Sequence, residues 1–255
     1  MAKIDKKRLD VLVAERFPAL TRNQIQGFIM TGKVAVDGVV TTKAGTQLSS
    51  DVVITLDQDQ PKFVSRAGFK LEAALNSFGV DVSGLTVLDA GISTGGFTDC
   101  LLQRGAACVY GVDVGFGQVH ERVANDPRLV LFEKTNLRHL KSLPKPVDLA
   151  TLDLSFISLL KVLPAVKNLL SPTGRIISLI KPQFEADRQD IKRGGKVTEQ
   201  AVHERVIEKI KEGFMREGFV FKALIESPIT GATSQNKEFL ALWEQTECVD
   251  SGCVL

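Results

Sequence analysis

Two groups of residues in this chain are placed to do chemistry. The first is Val87-Leu88-Asp89-Ala90-Gly91-Ile92-Ser93-Thr94-Gly95-Gly96-Phe97-Thr98-Asp99, an apolar strand-like run that turns through glycines into a helical pattern continuing at Leu101 and Leu102. Such a turn lets a ligand come against bare backbone, and the acid Asp89 stands just before the first glycine. The spacing is not that of the dinucleotide fingerprint Gly-x-Gly-x-x-Gly. A second acid follows roughly 20 residues on, where Cys108-Val109-Tyr110-Gly111-Val112-Asp113-Val114 reads as a short strand ending in a carboxylate able to accept both hydroxyls of a ribose. A ribose with an amino-acid tail and no pyrophosphate describes S-adenosylmethionine. The pattern therefore predicts cofactor contacts from Asp89, Gly91, Ser93, Thr94, Gly95, Gly96, Phe97, Asp113 and Val114. The plain alternative is an ordinary strand–turn–helix whose glycines serve geometry alone.

The second group is Lys70, Asp153, Lys181 and Glu238. Lys70 lies on a helical pattern before the glycine turn, Asp153 ends the apolar run 149–152, Lys181 ends the run 176–180 and is followed by Pro182, and Glu238 opens the run 239–243. Open α/β sheets carry their functional groups at such strand ends. Two ammonium groups and two carboxylates have a job in ribose 2′-O-methylation: they hold a weakly acidic hydroxyl near a sulfonium methyl and stabilise the alkoxide that develops. Lys181 is then the base or alkoxide stabiliser, Asp153 and Glu238 tune it, and Lys70 completes the charge set. Each residue alone has a plainer alternative as a strand-end cap, a snorkelling terminus, a solvated helix residue or an edge-strand charge.

The elements that must position these residues are legible from period and punctuation. Apolar strands at 86–90, 108–114, 129–133, 148–154 and 175–181 alternate with helical patterns, which predicts a parallel sheet. Runs 219–226 and 238–244 have no long helix between them and are expected as an antiparallel pair joined to that sheet. Ser65 is expected to cap the helix carrying Phe69, Leu71, Ala74 and Leu75, which Gly79 closes. The amphipathic stretch 199–218 packs on the sheet.

Ahead of this domain, Leu9, Leu12, Val13 and Phe17 share a helical face ended by Pro18, and Thr21 with Gln24 forms a capping box opening a second helix. A strand at Val34 and Val36, the turn Asp37-Gly38, and a strand with Val52, Ile54 and Leu56 follow. Two helices on a small sheet, with Lys6, Lys7, Arg8, Arg22 and Lys33 near the helix ends, resemble the S4 RNA-binding module over roughly residues 6–56. The chain is thus expected to divide into an S4-like domain at 1–58, a linker at 59–64, a catalytic domain at 65–247 and a tail at 248–255.

Composition is ordinary for a soluble globular protein. The chain has 255 residues, 44% hydrophobic and 24% charged, and a net charge of +2, so nucleic-acid affinity must come from local clusters of Lys and Arg. Its four cysteines show no C-x-x-C spacing, which argues against a zinc site or a disulfide framework, and no apolar run approaches the roughly 20 residues of a membrane span. A reducing, cytoplasmic setting is the expectation, with no stable membrane association and no metal.

At this point a family is recognisable. Val64-Ser65-Arg66-Ala67-Gly68-Phe69-Lys70-Leu71, Ser93-Thr94-Gly95-Gly96-Phe97-Thr98-Asp99, Val112-Asp113-Val114-Gly115, Asp153-Leu154-Ser155-Phe156-Ile157-Ser158, Ile180-Lys181-Pro182-Gln183-Phe184-Glu185 and Ser227-Pro228-Ile229-Thr230-Gly231 leading to Glu238 occur in order. Residues 1–245 resemble the TlyA group, also called hemolysin A, which joins an S4 domain to an FtsJ-like methyltransferase domain. The resemblance implies a Rossmann-like class I methyltransferase with a mostly parallel seven-stranded sheet and S-adenosylmethionine as cofactor. It implies methylation of a cytidine ribose in ribosomal RNA, in free RNA or ribosomal subunits, and a catalytic tetrad at Lys70, Asp153, Lys181 and Glu238. It also places Asn136 beside the adenine and adds Arg66 to the RNA-binding residues. The chain departs from the pattern at Ala67, Phe69, Phe116, the segment His120-Glu121-Arg122, and Ser234-Gln235-Asn236-Lys237 before the glutamate. Two other readings compete: a membrane-active hemolysin, and an RNA-binding protein whose methyltransferase fold is inactive.

Overall fold

The computed structural model describes residues 6–57, 61–231 and 235–246, and the chain divides into two compact units, Met1–Pro61 and Lys62–Leu255. The first unit contains β1 (Lys6–Arg8), α1 (Leu9–Arg16), α2 (Arg22–Met30), β2 (Val34–Val36), β3 (Val39–Val40), β4 (Gln47–Ser49) and β5 (Ile54–Leu56). Both halves of the expected capping box form at Thr21 and Gln24. Strands β2 and β3 pair across the Asp37-Gly38 turn, and β5 pairs with β2 on its other edge. Leu9, Leu12 and Val13 from α1 and Ile25 and Ile29 from α2 bury against Val34, Val36 and Ile54. Sequence periodicity missed β1 and β4, which pair antiparallel with Lys6 opposite Ser49. A three-residue strand is too short to display a period of two, and Lys-Lys-Arg has no apolar face.

The second unit contains α3 (Ala67–Phe78), β6 (Thr86–Ala90), α4 (Gly96–Gln103), β7 (Cys108–Val112), α5 (Glu121–Ala124), β8 (Leu129–Phe132), β9 (Val147–Leu152), α6 (Leu163–Leu169), β10 (Leu170–Ile180), α7 (Pro182–Glu185), α8 (Gln200–Arg216), β11 (Phe219–Glu226) and β12 (Phe239–Gln245). Its seven strands lie in the order β11-β12-β10-β9-β6-β7-β8. Strands β6 to β10 are parallel to their neighbours, whereas β12 inserts antiparallel between β10 and β11. This is the Rossmann-like α/β sheet with its antiparallel addition. The order reverses between β6 and β9, so the crevice beyond their carboxyl ends is where a ligand site belongs.

Both faces of the sheet are covered. On one, α8 buries Val202, Val206, Ile210 and Phe214, spaced by fours, in a core with Ile176 and Trp243. On the other, Leu71, Ala74 and Leu75 of α3 meet Phe97 and Leu101 of α4 over Val87, Leu149 and Ile177. Helix α3 begins at Ala67 after Arg66, and Ser65 does not cap it: the Ser65 hydroxyl is buried without a hydrogen-bond partner. Arg66 takes the N-cap position, which leaves Ser65 one residue too early, its Oγ lying against Gly96 where a Cβ would collide with it. Strand β10 begins five residues earlier than the expected strand at 175–181: Ser171-Pro172-Thr173-Gly174 reads as a turn, yet Leu170 pairs with Val147 before a register shift at Arg175.

Around the expected linker, residues 58–60 lie outside the described residues, as do 247–255 with the expected tail. Lys62, Phe63 and Val64 are structured on the second unit. Phe63 is buried, the Val64 N–H donates to Asp99 Oδ2 at 2.7 Å, and Lys62 pairs with Glu72 at 2.6 Å.

The Phe214 ring stacks on Trp243 with centroids 4.1 Å apart and is fully buried. Phe214→Ala is expected to destabilise this unit by roughly 3–5 kcal/mol, read as a lower urea midpoint with an unchanged slope.

Candidate active site

Two cavities meet at the carboxyl ends of β6 and β9. The first, of about 370 Å³, is lined by Gly91 and Ser93 after β6, Asp113, Val114 and Gln118 after β7, Thr135 to Leu137 after β8, and Asp153 to Ile157 after β9. Asp113 is held with both carboxylate oxygens fixed: Oδ2 accepts from Ser93 N–H at 2.9 Å and Oδ1 from Gly115 N–H at 2.7 Å. Asn136 Oδ1 accepts from Arg138 N–H at 3.1 Å, which fixes the turn that presents it. Val112, Leu137, Ile157 and Val162 supply an apolar wall for a flat ring. Gly91, at φ 85°, passes so close to Asp153 that any Cβ would strike the Asp153 carbonyl oxygen. A carboxylate for ribose hydroxyls, an apolar slot and a glycine cradle fit S-adenosylmethionine.

The second cavity, of about 570 Å³, shares Gly91, Ser93, Asp153, Ser155 and Phe156 with the first and extends to Arg66, Lys70, Lys181, Gln183, Phe184 and Glu238. All four residues of the predicted charge set line it, arranged as two ion pairs. Lys70 from α3 donates to Glu238 Oε2, and both side chains are at most 8% exposed. Lys181 Nζ lies 2.6 Å from Asp153 Oδ1 and donates to Ser155 Oγ at 3.0 Å. Buried charges are tolerable in this form because each has an opposite partner. Lys181 and Asp153 border the shared region, so a hydroxyl held there sits next to whatever fills the first cavity.

Other predicted cofactor residues serve the turn from within. Asp89 is fully buried, accepts from Thr98 Oγ1 at 2.6 Å and Thr151 Oγ1 at 3.1 Å, and lines neither cavity. Burial pushes its carboxyl up to about 6, against the pull of those two hydroxyls. Gly95 and Gly96 head α4, Phe97 packs into the core, and the Thr94 carbonyl accepts from His120 N–H at 3.1 Å. The atypical segment 120–122 is itself part of the framework. Its Arg122 donates to Asp99 and to the Lys62 carbonyl, tying α4 to the start of the unit.

The predicted RNA-binding residues are unevenly placed. Lys6 and Arg22 are exposed, but Lys7 pairs with Glu15 at 2.7 Å, Arg8 grips Asp10 through two hydrogen bonds, and Lys33 lies 3.5 Å from Asp57. Arg66 belongs to the second cavity and donates to the Thr230 carbonyl at 3.4 Å.

Several site residues escaped assignment from sequence although their motifs were visible. Glu185 accepts from Leu159 N–H at 2.7 Å and so ties the turn after Lys181 to the loop after Asp153. Its carboxyl is pushed up by burial. Phe156, at φ 64° and 91% exposed, meets Phe184 with ring centroids 5.1 Å apart. Asn236 accepts from Val197 N–H and donates to the Gly195 carbonyl, anchoring the segment that leads to Glu238. A buried loop contact leaves no period for sequence reading to detect.

A seven-stranded sheet of this order, with a carboxylate lining the cavity after its second parallel strand, is that of a Rossmann-like methyltransferase. The chain belongs to the FtsJ-like methyltransferase family, whose model matches residues 63–244, and an S4 domain model matches residues 7–54. It is 38% identical over 245 residues to the 16S/23S rRNA (cytidine-2'-O)-methyltransferase TlyA of Mycobacterium tuberculosis, covering 95% of this chain and 91% of that one. It is 37% identical over 237 residues to Hemolysin A of Brachyspira hyodysenteriae, covering 92% and 98% of the two chains. A solved structure from Streptococcus thermophilus, provisionally named a hemolysin, superposes with a TM-score of 0.74 at 38% identity, covering 96% of this chain and 90% of that one. Among the described residues, no helix is long and apolar enough to cross a membrane.

The buried Asp89 gives a pH signature. Its folded-state value near 6 exceeds the ordinary 3.8, so the folded chain holds the proton more tightly and loses stability as pH rises from about 4 to above 6. Asp89→Asn removes that loss. The stability of wild type relative to Asp89→Asn is expected to fall by about 2 kcal/mol between pH 4 and pH 7, read from denaturant melts across that range.

Proposed function

We propose that this protein transfers a methyl group from S-adenosylmethionine to the ribose 2′-hydroxyl of a cytidine in ribosomal RNA, acting in the cytoplasm on RNA or ribosomal subunits. The observation that carries the reading is the meeting of the two ion pairs, Lys70–Glu238 and Lys181–Asp153, in a cavity that opens onto the first at Asp153. The specificity of the Mycobacterium tuberculosis relative for the cytidine 2′-oxygen supports the choice of atom and base.

When bound, the cofactor supplies an electrophilic methyl on a sulfonium. In this reading the chain's own groups do the rest. Asp113 and Asn136 orient the adenosine moiety, while Gly91, Ser93 and Val114 shape its bed, and the buried Asp89 with Gly95, Gly96, Phe97 and Thr94 keeps that bed in place. Lys181 Nζ holds the attacking oxygen and stabilises the charge that develops as its proton passes to the neighbouring Asp153 carboxylate. Asp153 fixes the ammonium, and Ser155 offers it a second acceptor. Lys70 and Glu238 form the opposite wall and keep the cavity's charge balanced. In-line placement of hydroxyl and methyl supplies the remaining acceleration.

RNA affinity is assigned to Lys6, Lys7, Arg8, Arg22 and Lys33 of the first unit and to Arg66 at the second cavity. Lys6 and Arg22 are exposed, and the pairing of Lys7, Arg8 and Lys33 with acids makes these two the larger contributors to a phosphate contact.

Labelled methyl from S-adenosylmethionine should appear in the ribose of ribosomal RNA or of a ribosomal subunit. With Lys181→Ala, turnover should fall at least about 100-fold while cofactor binding is kept. Cofactor binding without label on any ribosomal substrate would leave a fold that only binds. Affinity for RNA should fall with rising salt, and Arg22→Ala should reduce the slope of log affinity against log salt by about one. A salt-independent affinity would remove the first unit as the docking surface.

A further inference from the structure

We propose that the turn from Lys192 to Lys196 is a phosphate grip, in which Arg193 and Lys196 hold the RNA backbone beside the nucleotide whose ribose enters the second cavity. The inference rests on the ribose-methylation reading above and extends it from the sugar to the phosphates attached to it.

The need for a grip follows from the charge inside the cavity. A ribose 2′-hydroxyl within a strand comes with a phosphodiester on the neighbouring 3′-carbon, so presenting the hydroxyl brings a negative charge to the rim of the site. The cavity's own charges are joined as Lys70–Glu238 and Lys181–Asp153, two ammonium groups against two carboxylates, and leave no surplus to meet it. Positive charge for the phosphates must therefore stand at the edge. The exposed Arg66 is one such group.

The turn supplies two more. Gly194 and Gly195, at φ 81° and 72°, line the second cavity, and a Cβ on either would meet nothing within 4 Å, so the turn borders open space. Lys192 N–H donates to the Lys196 carbonyl at 2.8 Å and Gly195 N–H to the Lys192 carbonyl at 3.0 Å, which closes the turn. Its three cations are differently engaged. Lys192 Nζ donates to Thr198 Oγ1 at 2.9 Å and lies 3.1 Å from Glu199 Oε1. Arg193 and Lys196 are exposed, and neither side chain has a hydrogen-bond or ion-pair partner among the described residues. They are the immediate neighbours of the two glycines in the cavity wall.

An exposed cation is commonly just solvated; these two stand on a turn tied to the catalytic segment. Asn236, buried and two residues before Glu238, donates through Nδ2 to the Gly195 carbonyl at 2.8 Å and accepts from Val197 N–H at 3.0 Å. From the other side, the buried His203 of α8 donates through Nε2 to the Val197 carbonyl at 3.0 Å. A phosphate held by this turn is thereby placed relative to Glu238 and its cavity, whereas a cation on a loose segment would attract RNA without placing it. The Arg193 guanidinium can take two phosphate oxygens at once, and Lys196 adds a second point charge.

The test uses the ribosomal RNA or subunit that wild type methylates. Arg193→Ala/Lys196→Ala is compared with Arg193→Lys/Lys196→Arg, which keeps both charges, and unchanged affinity for S-adenosylmethionine shows that each is folded. In the alanine pair kcat/KM should fall by about 10-fold or more. Its slope of log affinity against log salt should be shallower by roughly one to two. The charge-keeping pair should stay close to wild type on both measures. Random ethylation of RNA phosphates reads the placement: neutralising the phosphates that flank the methylated nucleotide should impair wild type, and much less the alanine pair. An unchanged salt slope in the alanine pair, or undiminished interference from the flanking phosphates, overturns the grip and leaves ribose methylation standing. Absence of methyl transfer by wild type to any ribosomal substrate overturns the ribose-methylation reading itself, and this inference with it.

Discussion

The site depends on one close approach. Strands β6 and β9 lie side by side, with Ala90 opposite Leu152 and Asp153 N–H donating to the Ala90 carbonyl at 3.0 Å. The chain must then turn away at Gly91 with no room for a side chain against the Asp153 carbonyl. Because the two strand ends are pressed together there, the loops after them diverge around one space that both cavities share. A side chain at Gly91 would force apart the wall common to the two cavities. Asp89, one strand position deeper, carries the cost of this arrangement as a buried carboxyl satisfied by two threonine hydroxyls.

The charges follow from the sheet. Lys70 and Glu238 are 168 residues apart and meet because β12 inserts antiparallel next to β10, which starts its first residues near the carboxyl ends of the parallel strands. An additional parallel strand there would begin at the far end of the sheet. Lys181 and Asp153 meet because β9 and β10 are parallel neighbours that end at almost the same level. Two pairs thus arise from two kinds of strand pairing, and each brings together groups from separate elements. Removing one member would leave a buried charge unpartnered, which is far more costly than never having had the pair.

Much of this was legible in the amino-acid order because the features that build the sheet are long and periodic. The seven strands of the second unit, the capping box at Thr21 and Gln24, and the association of Lys70, Asp153, Lys181 and Glu238 all rest on apolar runs and the punctuation that ends them. What escaped was governed by contacts between distant loops. The cap expected of Ser65 fails because the helix starts one residue later, with Arg66 at its N-cap, and β1 and β4 are too short to show a pattern. Asp89 reads as a ligand group by its position before the glycine, but its strand points the carboxylate inward to Thr98 and Thr151. Glu185 and Asn236 carry no periodicity at all; their importance lies in the backbone groups they hold.

These loop ties couple the parts of the site that must act together. Glu185 joins the segment after Lys181 to the segment after Asp153, whose own side chains are already paired across the same gap. The two loops are therefore linked twice, once by charge within the cavity and once by a buried hydrogen bond behind it. The inner link alone would let the loops rotate about the ion pair, since an ammonium accepts many orientations. The outer link removes that freedom and sets the direction in which Lys181 and Ser155 face the shared space. Placement of a hydroxyl for in-line transfer is sensitive to displacements of about 1 Å, so the hydrogen bond behind the cavity matters to the chemistry in front of it.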